Sequence, residues 1–156
     1  MEIIHIILGK ANPERMNGVN KVVYQLATAQ VEHHQKVRVW GITKDAQENF
    51  PARNFNTRLF QKKRNPFGLP FDLKKAITQT ENVVFHLHGG WIPLFWSIAH
   101  ELHRQNKRFV LTPHGAYNRI AMRKNRLLKN IYFYGFEKKV LEYAYKIHCI
   151  GTSEKW

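Results

Sequence analysis

The sequence has one cysteine, Cys149, so an internal disulfide is excluded and a reducing compartment is weakly indicated. Acids are scarce: 11 Asp plus Glu stand against 25 Lys plus Arg, a formal charge of +14. That imbalance points to anionic partners and leaves nucleic acid, an anionic membrane surface and phosphorylated substrates open. Long apolar runs are missing too. The first, Ile3 to Leu8, is broken by His5, is too short to span a bilayer and lacks the basic start of a signal peptide. We therefore expect a cytoplasmic chain, peripheral at the inner face of a membrane. Nine glycines are present, yet neither the three-glycine dinucleotide fingerprint nor a Walker loop is formed. No Ser-His-Asp order, paired carboxylates or cysteine in an electropositive motif marks a complete active site. Internal repeats and low-complexity tracts are also missing.

What is present argues for an ordered domain. The 156 residues fit one domain, and an apolar content of 44% with four Trp, ten Phe and six Tyr speaks against disorder. The stretch from Val83 to Asn118 organises the rest. Val83 to His88 reads as a strand broken by Gly89-Gly90. Leu94, Ile98 and Leu102, with Phe95 beside them, repeat at helical spacing, and Arg108 to Thr112 forms a second strand ended by Pro113-His114-Gly115. In a parallel sheet both turns emerge on the edge where open α/β folds bind ligands. His86, His88, Gly89, Gly90, His114 and Gly115 thus share one rim.

Around this stretch, Glu2 to Leu8 reads as a buried strand. Val19, Val22, Val23, Leu26, Ala27 and Val31 form a helix stripe with Asn17 as N-cap and Gly18 just inside it. Lys36 to Ile42 and Phe55 to Gln61 are further strands, and Thr43 to Asn54 is a loop. Asp72 caps a helix running to about Thr80. Arg119 to Tyr145 is a long or broken helix with one face marked by Leu128, Tyr132, Phe136, Val140 and Ala144, and Gly135 as its kink. Lys146 to Ile150 is a last strand, with Gly151 to Glu154 opening the next turn and helix. The expected fold class is α/β: a Rossmann-like open parallel sheet with helices on both faces.

Three patterns carry candidate chemistry. The loop Gly9 to Val19 leads from a strand to a helix amino terminus, a site for anions or an ordinary connection. His86 and His88 share a strand face, and with His114 they could bind zinc, although no carboxylate stands nearby in sequence as a second partner; a buried, hydrogen-bonded pair is the favoured reading, and no metal is expected. His114, between Pro113 and Gly115, can donate to a sugar hydroxyl or a phosphate. The segment Arg119 to Lys139 carries Arg119, Arg123, Lys124, Arg126, Lys129, Lys138 and Lys139 with one acid, Glu137, and Phe133 and Tyr134 off the apolar stripe. Such a surface suits an anionic bilayer, ranked above nucleic acid, or is a solvated helix face. Lys62-Lys63-Arg64, with Phe67 and Phe71, could extend it.

In order, Asn17 to Val23, Val37 to Trp40, Val84 to Gly89, Phe109 to Gly115, and a basic helix leading to Ile147 to Glu154 resemble the amino-terminal half of a family 4 glycosyltransferase of the two-Rossmann (GT-B) fold. The resemblance spans essentially the whole chain. It implies transfer of a sugar from a nucleotide-sugar donor to a glycan or lipid-linked acceptor, with retention and without a metal or other cofactor, in cell-surface polysaccharide or lipopolysaccharide synthesis. It implies that this domain binds the acceptor, that the loop at Asn17 and Gly18 faces the donor phosphates, and that His114 touches the transferred sugar. The family has two adjacent glycines in that loop where this chain has Asn17-Gly18. The donor-binding domain would follow Trp156 and is absent from this chain, so the 156 residues alone are expected to be inactive. Alternatives are a non-catalytic, membrane-docking subunit that recruits a separate donor-binding chain, and a basic nucleic-acid-binding domain.

Overall fold

A computed structural model describes residues 1–14 and 18–152. Asn17, Ser153 and Glu154 lie outside the described residues, and with them the expected N-cap and the last turn. The chain runs β1 (Glu2–Leu8), α1 (Gly18–Glu32), β2 (Val37–Thr43), β3 (Asn56–Gln61), α2 (Phe71–Gln79), β4 (Val83–His88), α3 (Pro93–Arg104) and β5 (Phe109–Thr112). It continues through α4 (Arg119–Arg123), α5 (Arg126–Tyr132), a π-helical turn (Phe133–Glu137), α6 (Lys138–Tyr143) and β6 (Lys146–Ile147).

The six strands form one parallel sheet in the order β3-β2-β1-β4-β5-β6. This is the expected Rossmann-like α/β class. The order reverses between β1 and β4, which opens a crevice at their carboxyl ends. Period-two alternation divides β1 between two layers. Ile4 and Ile6 join Trp40, Phe60, Phe85 and Leu87 in a core covered by Leu73 and Ile77 of α2, Leu94, Ile98 and Leu102 of α3, and Val140 of α6. Ile7 faces the other side with Val23 and Ala27 of α1 and Val39 and Phe55. Burying each such large apolar side chain contributes about 1.5–3 kcal/mol.

Several local expectations are corrected. Val22 is exposed, and Asn20 takes a place on the buried side of α1. There the Asn20 amide accepts from Ala11 N and donates to Leu8 O, tying the first loop down. The N-cap of α2 is Pro70, and Asp72 lies inside the first turn, where its charge still favours the helix amino terminus. The final strand stops at Ile147 because β5 runs into Pro113, which has no N–H to extend the ladder. The Arg119–Tyr145 segment is broken at Asn125, held left-handed at φ 56°. The break explains why Leu128 is 69% exposed and not on a buried stripe. At Gly135 the irregularity is a π turn, whose wider winding brings Glu137, and not Phe136, fully into the interior.

Candidate functional site

The turns after β4 and β5 meet at the carboxyl edge of the sheet. Gly89 N donates to Thr112 O at 2.9 Å, which joins the two strand ends. A Cβ on Gly90 would stand 2.7 Å from Ala116 Cβ, so glycine is needed for the turns to approach. Two non-glycine residues here have left-handed backbone, Trp91 at φ 60° and His114 at φ 54°, with Gly115 after His114 at φ 80°. Left-handed non-glycine residues are uncommon, and they gather where the chain holds a side chain in a required direction.

The structure brings together the three histidines foreseen for this rim and adds two. Register pairs His5 of β1 with His86 of β4, so alternation puts His5, His86 and His88 on the same face, toward α1. His5 Nε2 lies 2.7 Å from Gln30 Oε1, His5 Nδ1 2.8 Å from His88 Nε2, and His88 Nδ1 2.8 Å from His114 Nε2. His86 stacks on His88 with ring centroids 4.0 Å apart, and its Nε2 contacts Thr112 Oγ1 at 2.6 Å. Thr112 Oγ1 also contacts His148 Nδ1 at 3.2 Å. Ligand nitrogens of His5, His86 and His88 lie within 4.8 Å of one another, a grouping that could hold a divalent cation, but the closest two already face each other across a hydrogen bond. His86 and His88, expected as a buried hydrogen-bonded pair, stack on each other and find separate partners: Thr112 for the half-buried His86, and His5 and His114 for the buried His88.

Burial, reinforced at His86 and His88 by repulsion from neighbouring histidines, disfavours the protonated forms of His5, His86 and His88. His86 is lowered to about 3, first by desolvation and then by His5, His148 and His114. His88 is pushed well below 6.5 by burial and then by its neighbours, and His5 is lowered by burial against an opposing hydrogen bond from Gln30. A histidine depressed in the fold takes up its proton more readily when unfolded, so stability is intact above 6.5 and is lost as pH falls from there toward 3. His86 alone then costs about 2 kcal/mol at pH 5. Urea midpoints should fall accordingly between pH 7.5 and pH 5; an unchanged midpoint would contradict the buried neutral array.

Beneath the second turn lies Glu137, which sequence reasoning counted only as a charge. Its Oε1 accepts from Trp91 N at 3.0 Å and from the Tyr117 hydroxyl. The Trp91 indole in turn donates to Ala116 O at 2.9 Å. One buried carboxyl therefore pins both turns of the rim to the π segment. Burial raises its pKa above the usual carboxylate range, partly offset by those two hydrogen bonds. Glu137→Ala removes the acceptor from both donors and should cost about 2–4 kcal/mol. A raised carboxyl makes stability fall as pH climbs from 4.5 through the folded value. Glu137→Gln should keep most of the hold while abolishing that slope, and denaturant titrations across pH 4 to 8 read both effects.

The sequence profile described as Glycosyltransferase Family 4 matches residues 16–155. The chain belongs to glycosyltransferase family 4. No curated protein sequence matches it. Among solved structures it is similar to a short-chain dehydrogenase/reductase (wide type) from Veillonella parvula DSM 2008 in complex with NADP. That likeness has 18% identity and a TM-score of 0.47, and covers 95% of this chain and 67% of that one. So distant a likeness carries no argument about activity.

In this family 4 domain, Gly18 is the exposed first residue of α1, and a Cβ there would meet nothing within 4 Å. It lies after β1, on the same edge of the sheet as the histidine rim. Arg119, Arg123, Lys124 and Arg126 are exposed along α4 and α5, whereas Lys129 folds back to donate to Ala121 O and lies 5.5 Å from the Trp91 ring. Ile120, Leu127, Leu128 and Ile131 stand out of the same surface at 64–83% exposure, and Tyr134 joins them. Phe133 instead packs toward Trp91, and Phe67 toward Trp96 and Phe136; Phe71 alone of the connector's aromatics is exposed. Beside the exposed leucines a cleft of about 430 Å³ is walled by Trp91, Leu128, Ile131, Tyr132 and Phe136. Trp91 therefore links the basic, apolar surface to the His114 rim. Among the described residues no helix is long and apolar enough to cross a membrane.

Proposed function

We propose that this family 4 chain is the acceptor-side half of a retaining glycosyltransferase. It would transfer a sugar from a nucleotide-sugar donor to a glycan or lipid-linked acceptor in cell-surface polysaccharide or lipopolysaccharide synthesis. Supporting this reading most directly is His114, held left-handed at the switch-point rim of a family 4 sheet and backed by hydrogen-bonded histidines. A donor-binding half, with the nucleotide site, would close over this rim, exclude water and stabilise the departing phosphate. His114 would contact the transferred sugar, and Gly18 with Asn17 would border the donor phosphates. No metal or other cofactor is required by this scheme. The working surroundings would be cytoplasmic, on the inner face of an anionic membrane, with Arg119, Arg123, Lys124 and Arg126 toward the lipid headgroups.

A second reading rests on the same exposed surface: a non-catalytic docking subunit that holds acceptor at the membrane and recruits a separate donor-binding chain. Association of this chain with a donor-binding partner, followed by sugar transfer from labelled nucleotide-sugar, tests both. Transfer abolished by separating two distinct polypeptides supports the subunit, and transfer by one continuous polypeptide supports the enzyme half. Nucleic-acid binding remains the third alternative, and it loses if anionic vesicles outcompete RNA for the basic surface.

A further inference from the structure

Two loops leave neighbouring parallel strands at the carboxyl edge of the sheet, one after β1 and one after β2. The first carries Lys10, which is only 6% exposed, and a lysine so buried needs partners for its ammonium. An ammonium can only donate, so the direction of its bonds is fixed. Lys10 Nζ donates to Gln47 O at 2.6 Å and to Asn49 Oδ1 at 2.5 Å, with Asp45 Oδ2 at 3.5 Å. All three acceptors belong to the β2–β3 loop. That loop also reaches back: Arg53 donates to Lys10 O at 2.8 Å, while its guanidinium lies 3.8 Å from the centre of the Phe50 ring. The first loop is itself held from α1, where Asn20 bonds to Leu8 O and Ala11 N, and where a Cβ on Gly9 would strike the Asn20 side chain.

We propose that Lys10 is a positioning residue: its buried ammonium tethers residues 45–49 to the first loop, so that the β2–β3 loop stands as a fixed wall beside the switch-point crevice. Lys10 is thereby committed inside the protein and is not offered to an anionic ligand, although its loop leads to a helix amino terminus. Residues 45–49 are exposed and join neither apolar core. Among the described residues their other hydrogen bonds are short-range, from Asp45 N to Thr43 Oγ1, from Gln47 N to Asp45 Oδ1 and from Asn49 N to Gln47 O. The ammonium is therefore their hold on the rest of the fold. A wall ordered in advance leaves less conformational freedom to be lost when acceptor binds. That consequence rests on the function proposed above; the tether itself does not.

Backbone ¹⁵N relaxation of the chain in solution, without sugar, reads the tether. Order parameters for the amides of residues 45–49 should be about 0.85 in the unaltered protein and below about 0.6 in Lys10→Met, which keeps the length of the buried stem. Asn49 is exposed, so Asn49→Ala leaves the core alone and should give a smaller fall at the same residues. Values below about 0.6 in the unaltered protein, or equal values in all three proteins, overturn the proposal. In the chain joined to a donor-binding half and supplied with a lipid-extract acceptor, Lys10→Met should raise acceptor KM about 10-fold and change kcat less. A fall in kcat with KM unchanged would overturn the positioning role. Absence of any transfer by the unaltered joined protein would strike the glycosyltransferase reading and leave the relaxation result standing.

Discussion

His114→Ala, introduced into the assembly of this chain with its donor-binding half, should lower kcat/KM for sugar transfer by about 100-fold, or roughly 2.7 kcal/mol of transition-state stabilisation. The size follows from placement. His114 is held in a strained left-handed turn, and its ring orientation is fixed from behind by His88. A side chain so constrained would lose little freedom on engaging substrate, so the proposed sugar contact would be felt in the transition state and not spent on ordering. The loss should fall mainly on kcat, with acceptor KM little altered. Stability measured by urea should barely change, because the ring is only partly buried. Equal loss of stability and activity would instead mark His114 as structural.

The second large effect concerns the membrane. Replacing Arg119, Arg123, Lys124 and Arg126 together with Gln should weaken binding to vesicles of 30% phosphatidylserine by about 1000-fold, since each engaged cation contributes about 1 kcal/mol. Binding of the unaltered protein should fall steeply with salt. Ile120, Leu127, Leu128 and Ile131 project from the same helices, so some affinity should survive high salt in the unaltered protein and vanish in Leu127→Glu/Leu128→Glu. Sedimentation with vesicles measures both. Equal binding to neutral and anionic vesicles would remove the electrostatic half of the proposed membrane contact.

Most of the sheet was legible because its strands are apolar runs bounded by glycine or polar turns, as with Val83 to His88 before Gly89-Gly90. His86, His88, His114 and Gly115 could be placed on one rim because two successive parallel strands must end on the same edge. His5 could not be joined to them, since that required the β1–β4 register, a long-range pairing that no local pattern encodes. Glu137 was hidden for a different reason. A π turn shifts the helical phase by one residue, so i,i+4 counting from Leu128 pointed at Phe136 as the buried position. One signal was available: an acid in a strongly basic segment, directly after the aromatic run Tyr132 to Phe136, is a candidate for burial. Asn125 in a left-handed conformation likewise broke a helix that side-chain periodicity alone would continue.

Sugar transfer by the isolated 156-residue chain, set beside transfer by the same chain joined to a donor-binding half, tests the proposed division of labour most directly. Labelled nucleotide-sugar and a lipid-extract acceptor would be supplied to both, and the product's anomeric configuration read by NMR. The expected result is no transfer by the chain alone, and retained configuration in the product of the joined halves. Detectable transfer by the chain alone, or an inverted product from the joined halves, would contradict it.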